Sequence, residues 1–192
     1  MSDPGPLVGE PLALDLVNTR NADGDHLATP QALRRWLDLE AARFPVVQDL
    51  AVSDACLAAV REVREHTARA LECVRRGEQP PQEALDALNR AQRAAPAITE
   101  LAWDGGAVMA ARRRAGSAAD RLAAWLAEAA AELLTDPAVT TVRACEADDC
   151  VTLFLPAHPR RRWCAAARCG NRMRVARHYQ RVRSAGGRID EK

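Results

Sequence analysis

The segment RRRWCAAARCGNRMRVARHYQRVR, residues 160–183, combines two thiols with a dense run of positive charge. It contains nine arginines and no acidic residue, and Cys164 and Cys169 lie in its first half. Cysteines and arginines together are typical of a metal-stapled module that binds a polyanion. The fold and the function of the C-terminal part of the chain therefore depend on this segment.

Four of the six cysteines follow the spacing C-x4-C-x13-C-x4-C: Cys145, Cys150, Cys164 and Cys169. Four thiolates supply a closed tetrahedral shell for Zn²⁺, and a short turn within each pair can bring its two sulfurs to one ion. The first pair encloses turn-forming residues, and the second pair is predicted to lie at a helix start, where exposed N–H groups can bind sulfur. The sequence therefore predicts one structural zinc site.

Two other uses of these cysteines remain open at this stage, namely two disulfides and an iron–sulfur cluster. His158 is left out of the ligand set because four thiolates already complete the shell, and Pro159 places it in a loop. A closed shell has no open position for water or substrate, and no nucleophile–base pair or phosphate-binding loop stands out elsewhere. These features predict a protein that is not an enzyme.

Charge is divided unevenly along the chain, although its net value is only +1. Residues 141–192 carry twelve basic and five acidic side chains, whereas the remainder carries fifteen basic and twenty-one acidic ones. An acidic body with a basic C-terminal part favours nucleic acid as the partner of that part. An acidic membrane surface and a solvated basic surface are the alternatives.

A helix over residues 168–183 would separate basic from apolar side chains. One side would carry Val175, Tyr179 and Val182 and is predicted to pack on the protein. The other would carry a basic stripe. Together with the arginines that precede Cys164, the stripe gives the candidate nucleic-acid-binding residues: Arg160, Arg161, Arg162, Arg174, Arg177, His178 and Arg181.

The N-terminal part of the chain has the capping and periodicity signals of a helical domain. A short helix is predicted over residues 12–19, followed by a loop. Thr29 and Pro30 are predicted to open the next helix, which Pro45 would end. Ser53 and Ser117 are predicted to cap helices that extend to about residues 76 and 134, and a further helix is predicted over 81–94.

Two segments depart from the helical pattern. Asp104-Gly105-Gly106 separates two short apolar segments and predicts a β-hairpin. VTTVRAC, residues 139–145, is rich in β-branched side chains and predicts a strand that leads into the first cysteine. The sequence therefore predicts an α+β fold that is mostly helical, with a small β component.

No stretch approaches the roughly 18–20 apolar residues that cross a bilayer. The first residues lack a basic region followed by a long apolar run. We therefore expect a cytoplasmic protein without a membrane partner.

Several motifs together resemble the CGNR zinc-finger family and the ABATE domain that commonly precedes it. The CGNR tetrapeptide at 169–172 is the most specific of them. The finger motifs are RACEADDC at 143–150, VTLFL at 151–155, RRWC at 161–164 and RHYQR at 177–181. The ABATE-like motifs are LALDLVNT at 12–19, LATPQALRRWL at 27–37 and LNR at 88–90.

The resemblance implies a stress-responsive transcription regulator whose four clustered cysteines hold zinc. It implies an ABATE-like sensing domain over residues 1–138, a CGNR-type finger over 139–186 and a tail over 187–192. The finger would be a treble-cleft-like or knuckle-plus-helix module. In it, Arg172 is expected to brace the finger or to bond the acidic body, and Asn171 to cap the helix or to bond the backbone of a cysteine. The partners implied are DNA, a small-molecule effector and, since one finger covers few base pairs, a second copy of the chain.

Asn18, Arg64 and Asn89 are the candidate effector-binding residues because they are polar side chains in or beside apolar segments. The alternative is that such groups cap helices and tie down the N-terminal segment. A zinc-stapled protein-interaction module without direct DNA binding is the alternative for the whole protein.

Overall fold

The computed structural model describes residues 6, 8–43 and 50–186, with side chains up to residue 181. Helices form most of this part of the chain. The body contains α1 (Leu12–Asn18), α2 (Pro30–Leu39), α3 (Asp54–Arg75), α4 (Gln82–Ala94) and α5 (Ala118–Thr135). The predicted mostly helical α+β fold is confirmed.

The core of the body lies between α3, α4 and α5, and α1 packs across α3 and α5. Its largest fully buried side chains include Trp36, Leu14, Leu71 and Leu126. The short helix α1 is buried almost throughout, because it lies between the body and the C-terminal module. Burying these apolar side chains is the main source of stability of the body.

The predicted helix starts are confirmed by their caps. The Thr29 hydroxyl accepts a hydrogen bond from the amide of Ala32, and Pro30 is the first residue of α2. The Ser53 hydroxyl caps α3, and Ser117 forms a reciprocal capping box with Asp120 at the start of α5. α2 ends at Leu39, and Pro45, which was predicted to end it, lies outside the described residues.

The predicted β-hairpin is present as β3 (Ala97–Trp103) and β4 (Val108–Arg114), which pair antiparallel. Gly105 in its turn has a φ of +62°, a conformation that glycine adopts without steric cost. The base of the hairpin is bound to α5 because Arg112 and Arg114 both form ion pairs with Glu128. Most of the hairpin is exposed to solvent.

The strand predicted over residues 139–145 is mostly wrong. Pro137–Thr141 forms a 3₁₀ turn, and only Arg143–Ala144 forms a strand (β5), which pairs with β6 (Leu153–Phe154). The Asp136 carboxylate caps the turn by accepting from the amide of Ala138 at 2.7 Å. This local cap outweighs the preference of β-branched residues for extended backbone.

The remaining strands are β1 (Arg20–Asn21) and β2 (Gly24–Asp25), which form a two-residue ladder after α1. None of the helices in the described ranges combines the length and the apolar character that a membrane span needs.

Two buried carboxylates share one arginine at the end of α2. The guanidinium of Arg43 forms ion pairs with Asp15 and with Glu40, whose side chains are 0% and 1% exposed. Burial, together with the nearby charge of Asp15, raises the pKa of Glu40 to about 7. One arginine does not balance two buried negative charges, so at neutral pH the pair destabilises the body.

We predict that Glu40→Gln stabilises the protein above pH 7 but not in acid. The folded-state pKa of Glu40 lies above its ordinary value, so its stabilising contribution is complete below about pH 4.5 and is lost as pH rises through about 7. The gain in the free energy of unfolding at pH 8 should be about 1–3 kcal/mol. Urea unfolding of both proteins at pH 4.5 and pH 8 measures it, and a loss of stability at pH 8 would contradict the assignment.

Candidate metal centre and nucleic-acid interface

The first pair of cysteines lies on a tight turn next to the β5–β6 ladder. The amide of Cys145 donates to the carbonyl of Thr152 at 2.9 Å, and the amide of Cys150 donates to the carbonyl of Ala147 at 3.1 Å. Asp149, the residue before Cys150, has a φ of +60°, a left-handed conformation that aspartate tolerates better than most residues. This turn brings the Cys150 sulfur back toward Cys145.

The second pair is positioned by the loop and turn that precede the last helix. Cys164 follows the loop, and Cys169 lies in a wide turn over Ala166–Gly170 that leads into α6 (Asn171–Gly186). The amide of Cys164 lies 3.4 Å from the sulfur of Cys145, to which it donates a hydrogen bond. The two pairs are therefore linked through backbone as well as through sulfur.

The four sulfur atoms, of Cys145, Cys150, Cys164 and Cys169, all lie within 4.8 Å of one another. The Cys150 and Cys164 sulfurs are 3.9 Å apart, and those of Cys164 and Cys169 are 3.6 Å apart. Four sulfurs at about 2.3 Å from one tetrahedral ion would be separated by roughly 3.8 Å. The cysteines are positioned to bind a zinc ion, as the sequence predicted.

The same distances exclude the disulfide alternative, because all six cysteines are free and a disulfide needs sulfurs about 2 Å apart. A multi-atom iron–sulfur cluster would hold its ligands farther apart than one ion does. The site suits one soft divalent cation with four thiolate ligands.

Burial disfavours the ionisation of two of the thiols, those of Cys164 and Cys169, when no metal ion is bound. Burial, with nearby thiols, raises the pKa of Cys164 and raises that of Cys169 to about 11. Burial also acts on Cys150, but hydrogen bonds from Thr152 outweigh it and lower its pKa to about 7. Zinc binding must therefore displace protons from the cluster, which couples zinc retention to pH.

Arg172 braces the metal centre. Its guanidinium donates to the carbonyl of Asp148 at 2.9 Å and lies 3.7 Å from the Cys169 sulfur. Asn171 donates to the carbonyl of Ala167 and accepts from Arg174. Arg172 thus braces the finger, which is one of the two roles expected for it, and Asn171 links the turn to the helix start rather than bonding the backbone of a cysteine.

The Asn18 side chain attaches the finger to α1 by forming the pair of backbone hydrogen bonds that a neighbouring β-strand would form. The Asn18 amide nitrogen donates to the carbonyl of Leu153, and its oxygen accepts from the amide of Leu153, both at 2.8 Å. The Glu10 carboxylate forms an ion pair with Arg161 and accepts from the amide of Leu155. The finger is thus fixed on the body by paired polar contacts.

We predict that Asn18→Ala loosens the finger. The change leaves the N–H and C=O of Leu153 without partners at a partly buried interface, which should cost about 1–3 kcal/mol. Hydrogen exchange of the amides around residues 153–155 should rise, while exchange in α3 stays unchanged. Asn89→Ala, on an exposed part of α4, is the matched control, and equal exchange in both variants would contradict the role of Asn18.

The three candidate effector-binding residues lie in different surroundings. Asn18 is engaged with Leu153, and Arg64, 3% exposed, binds Asp25 through two hydrogen bonds and Thr19 through a third. Asn89 is exposed on α4. An effector site formed by all three residues would require Asn18 and Arg64 to give up these partners.

Two arginines of the opening segment are engaged with the acidic body rather than with solvent. Arg161 lies under the finger, where it pairs with Glu10 and stacks over the Phe154 ring at 4.4 Å. Arg168 forms an ion pair with Asp23. Of the seven predicted nucleic-acid-binding residues, two therefore pair with carboxylates of the protein itself: Arg161 with Glu10 and, at the surface, Arg162 with Glu146.

The packing side of α6 was predicted wrongly. Val175 and Tyr179 are 53% and 64% exposed, whereas Met173 and Ala176 are partly buried. Cys169 fixes which side of the helix faces the metal centre, and residues four and seven positions later share that side. The apolar residues at 175 and 179 therefore face solvent.

The basic side chains of α6 form one exposed stripe. Arg174, Arg177, His178 and Arg181 recur at helical spacing, and all four are exposed. The guanidinium groups of Arg177 and Arg162 lie 5.5 and 5.6 Å from the ring centre of Trp163. Trp163 thereby joins the stripe to the loop that carries Arg160 and Arg162.

Sequence reasoning missed Trp163, Glu10 and Asp23. Trp163 has one usable signal, because an aromatic ring between a basic run and a basic helix can stack on arginines from both. Glu10 and Asp23 have no such signal, since their partners lie about 150 residues away along the chain.

Two protein-family models match the chain. The ABATE model, described as "Putative stress-induced transcription regulator", matches residues 10–137. The model of the CGNR zinc finger matches residues 141–182. A search of the curated proteins finds no match. Both families suspected from the motifs are confirmed, and neither description is that of an enzyme.

Proposed function

The chain belongs to the ABATE family and carries a CGNR zinc finger, and from this premise we propose that it is a zinc-dependent, DNA-binding transcription regulator of the cytoplasm. Residues 139–186 bind DNA, and residues 1–138 sense an effector or a stress signal. The metal ion is structural, since it holds together the turns that position α6.

The observation that carries the proposal is a continuous basic surface, of which one member, Arg162, also forms an ion pair with Glu146. It consists of Arg160, Arg162, Arg174, Arg177, His178 and Arg181. No acidic residue occurs between Cys150 and the end of α6. Like charges at helical spacing repel one another, and the negative charge of a row of phosphates relieves that repulsion. Binding also releases the counterions of those phosphates. Arginine also suits phosphate and guanine edges through its planar, bidentate geometry.

The shape of α6 supports DNA rather than a flat acidic surface. The helix has 16 residues, which corresponds to about 24 Å at the usual rise. Val175, Tyr179 and the basic stripe are all exposed, so most of the circumference of the helix is free. A helix enters the roughly 12 Å wide major groove only when it is free on most sides.

Sensing by residues 1–138 is supported by the family description and by a cavity of about 510 Å³ beside α5, lined among others by Trp125, Arg43 and Arg112. Arg43 donates to the carbonyl of Glu10 at 2.5 Å, and the Glu10 side chain holds Arg161 of the finger. An effector that displaces Arg43 would therefore disturb the attachment of the finger.

A zinc-stapled protein-interaction module is the second candidate, and a specific observation favours it. Arg161, Arg162 and Arg168 already pair with carboxylates of the protein itself. An acidic partner protein would extend the same type of contact.

The test is the salt dependence of binding to a random-sequence duplex, measured by fluorescence anisotropy on the zinc-loaded protein. Five or six basic side chains on phosphates predict a slope of log K against log salt of about −4.5 to −5.5. Binding that is absent even at low salt would overturn the DNA proposal and leave the protein-interaction module.

A further inference from the structure

We propose that the β3–β4 hairpin is a dimerisation arm, and that its face carrying Leu101, Trp103 and Val108 packs against the same face of a second copy of the chain. This surface is separate from the finger. The inference therefore does not depend on DNA binding, although two joined fingers would suit a DNA site with two halves.

The hairpin exposes an unusual amount of apolar surface. Leu101, Trp103 and Val108 are 72%, 69% and 64% exposed. Scattered apolar residues are common on protein surfaces, but a tryptophan beside two aliphatic residues in one exposed patch marks an interaction surface. The hairpin that carries the patch is regular, because both strands have seven residues and pair along their whole length.

The register of the strands divides the hairpin into two unlike faces. Trp103 is opposite Val108, and Leu101 is opposite Ala110, so these four share one face with the pairs Thr99–Arg112 and Ala97–Arg114. The other face carries Ile98, Ala102 and Met109, interrupted by Glu100 and Arg113.

Charge favours the first face as the contact between identical copies. A face that packs on itself across a two-fold axis brings each of its charges toward the same charge of the other copy. The two charged residues of this face, Arg112 and Arg114, lie at its base, and both form ion pairs with Glu128 of their own chain. Glu100 and Arg113 lie on the opposite face, and their charges favour contact of that face with solvent.

The hairpin also lacks a support of its own. A two-stranded hairpin is marginal in water unless a third strand or a packed layer covers it. Contacts with α5 are confined to the base, where Arg112 and Arg114 bind Glu128 and the Arg114 guanidinium lies 5.7 Å from the Trp125 ring centre. The distal half exposes Leu101, Trp103 and Val108, and this surface is available to a partner.

The area is of the order that a dimer needs. The three apolar side chains expose roughly 400 Å² per copy, which is about half of the ~800 Å² that each partner of a standard interface buries. The turn, Thr99 and Ala110 on the same face supply much of the remainder. A second copy therefore covers the patch without any further partner.

Sedimentation equilibrium on the zinc-loaded full chain tests the proposal. The wild-type protein should be a dimer, and the double variant Leu101→Glu, Trp103→Glu should be monomeric, with the dissociation constant raised at least about 100-fold. Met109→Glu is the matched control, because it introduces the same charge on the opposite face of the same hairpin. It should change the dissociation constant by less than about threefold.

All of these positions are exposed, so the variants should keep the circular dichroism spectrum and thermal transition of the wild type. A wild-type protein that stays monomeric at high concentration would overturn the proposal. So would a double variant that still dimerises, or a Met109→Glu variant that dissociates equally. The duplex-binding slope is measured independently, so failure of the arm and failure of DNA binding are distinguishable.

Discussion

Replacing Cys164 with serine is expected to remove zinc from the protein and to unfold the finger as a unit. The Cys164 sulfur lies within 3.6–3.9 Å of the sulfurs of Cys169 and Cys150, so it belongs to both halves of the site. A serine hydroxyl is a poor zinc ligand at neutral pH, and three thiolates bind the ion far more weakly. Structural zinc contributes roughly 10–16 kcal/mol to folding in small zinc modules.

The apolar cluster around the metal centre is too small to compensate for that loss. It contains Phe154, Ala147 and the cysteines, with Trp163 and Met173 at its edge. Without the ion, the amides around 145–170 should exchange freely. The helical body, whose core is separate, should keep a cooperative transition, lowered by the loss of the contacts between α1 and the finger.

Cys73→Ser is the matched control because Cys73 is a partly buried thiol outside the cluster. Metal analysis and hydrogen exchange measure both variants. Retention of one zinc ion per chain by Cys164→Ser, with normal protection of residues 145–170, would contradict the four-thiolate site.

Replacing Arg174, Arg177 and Arg181 together with alanine is expected to abolish most DNA binding while zinc stays bound. Each guanidinium that leaves a phosphate reduces the salt slope by about 1, so the slope should flatten by about 3. The affinity at 0.1 M salt should fall about 10²–10³-fold. Arg177 contacts Trp163 and Arg174 bonds Asn171, but all three side chains are exposed and none supplies a ligand to the metal, so zinc should stay bound.

A control with the same change in net charge separates local contacts from overall charge. Arg35, Arg90 and Arg93 are exposed on α2 and α4 of the body, and their triple alanine variant should bind DNA within about threefold of the wild type. An equal loss of affinity in both triple variants would mean that net charge, rather than the stripe on α6, governs binding.

Local signals in the sequence were sufficient for the helices and the metal centre. The caps at Thr29, Ser53 and Ser117 act within three residues of the helix start, and each is present. The cysteine spacing likewise depends on two short turns. Features of this kind are set by nearby residues and can be predicted from a single sequence.

The strand predicted over residues 139–145 was lost to a local cap at Asp136, whereas other features that the sequence did not reveal depend on contacts that the local pattern does not contain. Cys169 and the metal centre determine which side of α6 faces the protein, so Met173 faces inward and Tyr179 faces solvent. Arg161 is drawn under the finger by Glu10, and Asn18 is engaged with Leu153. Both contacts join residues more than 130 positions apart.

The most direct test of the account is the DNA affinity of one protein sample before zinc removal, after it, and after zinc is restored. The account predicts that binding disappears with the metal and returns with one equivalent of zinc per chain, because the ion holds the turns that carry α6. Zinc-free protein that binds the duplex with unchanged affinity and salt slope would contradict it.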